Sequence, residues 1–455
     1  MTGLGVEGWE LGIGRWRCVP CLANQSQIPS PSTLNWHLAA SIKTIAIPPD
    51  PPLSKIAGDL ADAAPLRDAL QWFVRHKQWI NEQHLQLCRI AASTFFEQRR
   101  AEWMLAQFRA LGCVARIDRG GNVIAHPREN RTGPYVALTA HLDTVLAPRK
   151  DEEVYVAPDG RLHGPGTADN GAGLTALLAI ARVISSFPDL ADDFRNLVFI
   201  ANVGEEGEGN LSGMRYLCRQ SSTGSRIQSF LILDGPNIDH VTSQALASRR
   251  FDVTISGPGG HSWSDYGFAN PIHALARAIA TFTEQRLPIN GSPRSSYNFG
   301  IIEGGSSINS IPTHARTKVD IRSESPAKLD EIAALLTNTV ERALETENER
   351  ATGAKVTAKI KEIGSRPGGK LRDDAQILQV IRAVDTHLGI RSHLDCASTD
   401  ANVPLSMGLP AISIGAGGHG GGAHTPQEWF HPDGRELGLK RILLTLSLLL
   451  RDLPA

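Results

Sequence analysis

The chain has 455 residues, 41% of them hydrophobic and 20% charged, with a formal net charge of −1. That length exceeds one ordinary domain, so two or three are expected, with enough apolar content for a sizeable core. Charge this balanced leaves no basic stripe for nucleic acid, and no apolar run approaches the ~20 residues of a membrane span. Neither nucleic acid nor membrane is an expected partner.

Six cysteines stand at 18, 21, 88, 113, 218 and 396. Their spacing is no disulfide framework, which points to a reducing, cytoplasmic setting. Cys18 and Cys21 form a CxxC, but no second pair follows and the Pro-rich surroundings do not suggest a thioredoxin-like unit. The first residues carry Glu7 and Glu10 instead of basic side chains and lack a long apolar stretch, so they fail as a secretory signal. With IPSPS and IPPDPP between Gln25 and Pro52, residues 1–60 read as an irregular leader.

The pattern then becomes regular. LRDALQWFVRH and RRAEWMLAQFRALG have helical periodicity, the second ending at Gly112 as a C-cap would. VARIDRGGNVIAHP predicts a hairpin around Gly120–Gly121. YVALTAHLDT, NLVFIANVGEEG and FLILDG predict buried strands, with AGLTALLAIARVISSF an apolar helix between the first two. Strands alternating with helices predict an α/β sheet, mixed and largely parallel.

The texture changes at Ala247. RRFDVTISGPGG, SSYNFGIIEGG and ARTKVDIRSES alternate polar and apolar residues, as half-exposed antiparallel strands do. Two helical stretches, NPIHALARAIATFTEQ and SPAKLDEIAALLTNTVERAL, accompany them. The reading is a catalytic domain over 61–246 and 358–455, interrupted by an inserted α+β domain over 247–357. AISIGAG and the apolar helix LGLKRILLTLSLLLRDL complete the second part.

In open α/β sheets a site forms at the carboxyl ends of the strands. There the sequence places His141 and Asp143, then Glu205 and Glu206, then Asp234. The loop GPGTADNGAG sets Asp169 just before a helix, and GGGAHTP sets His424 in a Gly-rich loop. Singly, each has an ordinary explanation: an N-cap, a hydrogen-bonded loop histidine, a solvated acid. Together they supply the nitrogen and oxygen ligands that zinc accepts. Two cations held close together would also need a carboxylate between them and a base for the attacking water.

HLDT at 141–144, GPGTADNGAG at 164–173, GEE at 204–206, LDG at 233–235 and AHTP at 423–426 occur in one family's order. Over residues ~70–455 the chain resembles the di-zinc peptidases and deacylases that include peptidase T, carboxypeptidase G, acetylornithine deacetylase and succinyl-diaminopimelate desuccinylase. That resemblance implies a zinc-peptidase catalytic domain with two Zn2+ per subunit, Co2+ or Mn2+ being alternatives. His141, Asp169 and Asp234 would hold one ion, and Asp169, Glu206 and His424 the other. Asp143 would orient His141, and Glu205 would be the general base.

It also implies that the inserted domain is a lid and a homodimerisation surface. His261, in GPGGHSW, would stabilise the oxyanion in a partner's site. Asn309 and Arg322 would contact the substrate's carboxylate or backbone. STDAN, at 398–402, fits the family pattern without a definite role. Relatives with Asp where this chain has Asp234 tend to be aminopeptidases and dipeptidases, and those with Glu deacylases and carboxypeptidases. The resemblance therefore favours cleavage of short peptides, with an N-acyl amino-acid amidohydrolase as the alternative. A non-catalytic protein on the same fold fits less well, because such proteins typically lose ligands or the base.

Overall fold

Apolar runs without polar alternation need burial on both faces, and the chain places them at the centre of a sheet. In this computed structural model, residues 51–128, 133–287 and 292–451 are described. Most of the leader, with Cys18 and Cys21, lies outside them. Among the described residues, nine strands form a mixed sheet with a parallel centre: Leu197–Asn202, Tyr135–His141, Ile227–Leu233 and Ala411–Ile414 lie side by side. Every residue of Tyr135–His141, Leu197–Asn202 and Ala411–Ile414 is buried. The predicted hairpin, Val114–Ile117 with Val123–His126, forms one antiparallel edge.

Helix Gly171–Ser186 is apolar almost all round because it is covered almost all round. It packs on Tyr135–His141 and against Leu66–Arg75, Lys77–Arg89, Gln98–Ala110 and Arg435–Arg451. Helix Gln98–Ala110 ends as expected: Gly112 takes φ 83°. The amides of Gly112 and Cys113 then bond the carbonyls of Arg109 and Phe108 at 3.0 Å each, closing the last turn.

Two sequence expectations need correction. The leader is helical at its end: Pro51–Asp62 is an α-helix that buries Ala57 and Ala61 and packs on helices Gln376–Leu388 and Arg435–Arg451. Leu53, Ala57, Leu60 and Ala61 recur at helical spacing, and prolines are tolerated in a first turn, so the Pro-rich text concealed a start signal. The inserted domain's sheet also runs further than residue 357. Its antiparallel order is Ser295–Gly304, His314–Ser323, Ala247–Ser256, Thr357–Arg366. The last strand mixes Lys and Glu with Ala and Ile, the half-exposed texture of its neighbours.

Helices Pro271–Glu284 and Pro326–Arg350 cover this smaller sheet, each started by a capping side chain, Asn270 and Ser325, followed by proline. Phe251, Val253, Phe282, Val319, Ile321 and Leu336 belong to a core separate from that of the large sheet. Where the chain crosses between the two sheets, the Asn402 side-chain amide donates to Leu246 O at 2.8 Å and Pro367 O at 2.9 Å. One residue of the STDAN stretch thus staples both crossings. Among the described residues no helix is long and apolar enough to cross a membrane.

Candidate metal centre

Three adjacent parallel strands bring the first ligand candidates together. His141 is the last residue of its strand, Asp234 follows Ile227–Leu233, and Glu205 and Glu206 follow Leu197–Asn202 on the other side. His424 arrives from a Gly-rich turn, itself at φ 65°, a conformation that side chains other than glycine adopt rarely. Asp169 meets both histidines: Oδ1 lies 3.0 Å from His141 Nε2, and Oδ2 lies 3.1 Å from His424 Nε2. His424 Nε2 is also 2.9 Å from Glu206 Oε1, and His141 Nε2 is 4.0 Å from Asp234 Oδ1.

These atoms form groups that could each hold a metal ion. One is His141, Asp169 and Asp234; another is Asp169, Glu206 and His424; a third is His141, Glu205 and Glu206. The first two share Asp169, whose Oδ1 faces His141 and whose Oδ2 faces His424. The donor set, imidazole nitrogen and carboxylate oxygen, suits zinc and its neighbours in the first transition row. Electrostatics agree. Burial, and then the Asp169 charge, push the Asp234 carboxyl well above the usual range. Burial with Asp169 and Glu205 pushes Glu206 up to about 7. Carboxylates this crowded are relieved by cations.

The loop carrying Asp169 is held on two sides. Glu428, buried, accepts the amides of Gly166, Ala168 and Asp169 at 2.8, 2.8 and 2.9 Å. His84 Nε2 donates to Thr167 O at 2.8 Å, while its Nδ1 accepts from the buried Arg435 at 2.6 Å. Asn170 caps the following helix and donates to Leu233 O at 2.8 Å, beside Asp234. Motif reading missed all of these. Glu428, four residues after His424, looks like a solvated acid until the 164–173 loop is folded against it.

Asp143 sits in the predicted place beside His141 and also serves the glutamate turn. His141 Nδ1 donates to the Asp143 backbone carbonyl at 3.0 Å, while the carboxylate lies 3.6 Å away, too far for a full hydrogen bond. The carboxylate instead accepts Glu205 N at 3.0 Å, Glu206 N at 2.9 Å and Thr94 Oγ1 at 2.9 Å. It therefore sets the turn that presents both glutamates. Glu205 is buried and ion-paired with Arg366 at 2.8 Å. Burial raises its pKa, and Arg366 opposes that rise.

The three candidates on the inserted domain are not joined to this cluster by any hydrogen bond or ion pair among the described residues. His261 is exposed, and its Nδ1 accepts the amides of Trp263 and Ser264 at 3.2 and 3.4 Å. Asn309 lies on the adjoining loop, where its carbonyl accepts Ser262 N at 3.0 Å. Arg322 donates to Asp320 at 2.7 Å; Asp320 also accepts Arg250, whose Nη1 donates to Gly207 O at 2.8 Å. Arg322 thus reaches the glutamate turn only through two intermediaries.

Comparisons with known proteins place the fold. Acetylornithine deacetylase of Photorhabdus laumondii is 28% identical over 305 residues, covering 64% of this chain and 74% of that protein. A tripeptidase from Staphylococcus aureus shares the fold at TM-score 0.67 and 20% identity, covering 83% of this chain and 99% of the other. Aminopeptidase PepT from Bacillus cereus does so at 0.63 and 21%, covering 81% and 97%. A model of peptidase family M20/M25/M40 matches residues 137–447, a span that holds all six residues of the cluster. With that span matched and candidate metal-binding groups within it, the chain belongs to peptidase family M20/M25/M40 and is a metallohydrolase of peptide or amide C–N bonds.

Proposed function

We propose that this protein is a cytoplasmic two-zinc peptidase of the aminopeptidase, dipeptidase or tripeptidase type, acting on short peptides. One observation carries the reading: two three-ligand groups that share Asp169. His141, Asp169 and Asp234 would hold one ion, and Asp169, Glu206 and His424 the other, with Co2+ or Mn2+ accepted by the same donors. A pair of cations held there would polarise the scissile carbonyl and acidify the attacking water. Glu205, buried beside both groups, takes the proton from that water and delivers it to the leaving amine. Asp143 keeps Glu205 and Glu206 in register with His141 through its bonds to their amides.

The inserted domain completes the site in this reading. Because His261 Nδ1 accepts two backbone amides, its Nε2 carries the hydrogen and faces outward as a donor. In a homodimer paired through the inserted domains, that donor serves the partner's oxyanion, while Asn309 and Arg322 receive the peptide's backbone or carboxylate. Exposed Trp263, Tyr266 and Ile308, at 86%, 88% and 103%, sit beside His261 and Asn309 as material for such an interface. His261→Ala is expected to lose about 2.7–4 kcal/mol of transition-state stabilisation while keeping its metals. Mixed with Glu205→Gln chains, it should regain roughly a quarter of wild-type activity through half-sites. An inactive mixture with demonstrated subunit exchange would return His261 to a turn role.

The second reading, an N-acyl amino-acid amidohydrolase, draws on the acetylornithine deacetylase match. Asp234 and the two peptidase folds favour the first. Zinc- and cobalt-loaded protein should turn over a tripeptide with a free amino terminus at least about tenfold faster, in kcat/KM, than an N-acetyl amino acid. The opposite ranking would make the deacylase the function.

A further inference from the structure

We infer that Arg366 is the positioning residue for Glu205, and that it ties the inserted domain to the reacting end of the base. The inference rests on Glu205 being the general base, as proposed above. Arg366 is the last residue of the strand that brings the chain back from the inserted domain, paired there with Ser248. Its Nη1 donates to Glu205 Oε1 at 2.8 Å and to Ser398 Oγ at 3.0 Å. Its Nη2 donates to the Glu205 backbone carbonyl.

One guanidinium therefore grips the same residue by main chain and side chain. Asp143 holds the Glu205 amide from the opposite side at 3.0 Å. The amide, the carbonyl and one carboxylate oxygen of Glu205 are thus all bonded to buried charged side chains. Both members of the ion pair are shielded, at 8% and 6% exposure. Swinging Glu205 to another rotamer would strand a buried charge, so the carboxylate stays where its other oxygen can accept a proton. Lysine could substitute only in part, because a single ammonium lacks the planar fork that spans carboxylate and carbonyl together.

Arg366 does not act alone at this seam. Arg250, from the first strand of the inserted domain, donates to Gly207 O at 2.8 Å, and Arg215 donates to Ser365 O. Both strands that root the inserted domain are therefore fastened to the segment following Glu205. A rotation of that domain either leaves this root still or moves the base with it. Domain placement and base placement become one variable.

The test uses full-length, metal-loaded protein. Arg366→Ala should lower kcat about 10²-fold, the low end of a general base's contribution, with two metals bound and tripeptide KM little changed. Arg366→Lys should lie between Ala and wild type. Millimolar ethylguanidinium should raise kcat of Arg366→Ala but not of wild type or Glu205→Gln. Near-normal kcat in Arg366→Ala overturns the inference. So does loss of metal or fold in both variants without rescue, which would make Arg366 structural glue. If Arg366→Ala does not fold, the kcat and KM of Arg366→Lys decide. An active Glu205→Gln would instead sink the base assignment itself, whereas an inactive Glu205→Gln beside a fully active Arg366→Ala sinks only the role of Arg366.

Discussion

Glu205→Gln is expected to retain both metals and lose turnover by about 10²–10⁴-fold, the range general acid–base catalysis supplies. The substitution is nearly isosteric. Glutamine's oxygen still accepts from Arg366, and the hydrogen bonds of residue 205's amide to Asp143 and of its carbonyl to Arg366 use only its main-chain atoms. What disappears is the capacity to take a proton. Metal analysis beside steady-state kinetics makes the result decisive, because His141, Glu205 and Glu206 also form a possible ligand group. Loss of metal together with activity would move Glu205 from base to ligand. Near-normal kcat with metals in place would remove it from the mechanism.

The largest effect on stability is expected far from the site. Arg441, fully buried on helix Arg435–Arg451, bonds Asp385 on helix Gln376–Leu388 through two parallel contacts, Nε–Oδ1 and Nη2–Oδ2, both 2.6 Å. Ser392 and the Ile238 carbonyl complete the pair's hydrogen bonding. Asp385→Ala leaves a guanidinium buried without its counter-charge and should cost about 3–5 kcal/mol. Denaturant titration followed by a probe in the large domain would measure it. Replacing both residues by apolar ones of similar volume should return most of that loss, since the pair spends much of its attraction on desolvation. Equal destabilisation by single and double variants would show that packing, not charge, is what the site requires.

The ligand candidates were legible because strand ends are legible. Polar residues at the ends of buried strands stand out, and His141, Asp234 and Glu205–Glu206 lie at or just past such ends. Arg366, Glu428 and His84 were not, because each acts on a segment far away in the chain: Arg366 on Glu205, Glu428 on the amides of Gly166, Ala168 and Asp169, His84 on Thr167. No local spacing marks such partners. Asp143 falls between the two cases. Its place in HLDT was readable, but its service to the glutamate amides depends on two strands lying in register. The fold class was readable for the same reason as the site. The errors fell at two boundaries: a helix beginning in prolines at Pro51, and a return strand, Thr357–Arg366, that shares its neighbours' half-exposed pattern but lies past the boundary read at 357.

The placement of Ala411–Ile414 has a consequence for how the protein is made. That strand lies between Ile227–Leu233 and His240–Ala245, so two strands that are neighbours in sequence are separated by one synthesised only after the entire insertion. Until it arrives, the growing chain holds two open backbone edges about one strand apart, the kind of edge that recruits other chains. The inserted domain, with its own core, can mature on the ribosome while this gap stays open. The large sheet is sealed from within by this later stretch of chain, and His424 follows soon after it, just past the short strand His419–Gly421. Closing the large sheet and bringing His424 to Asp169 and Glu206 thus both fall to the same late stretch of chain.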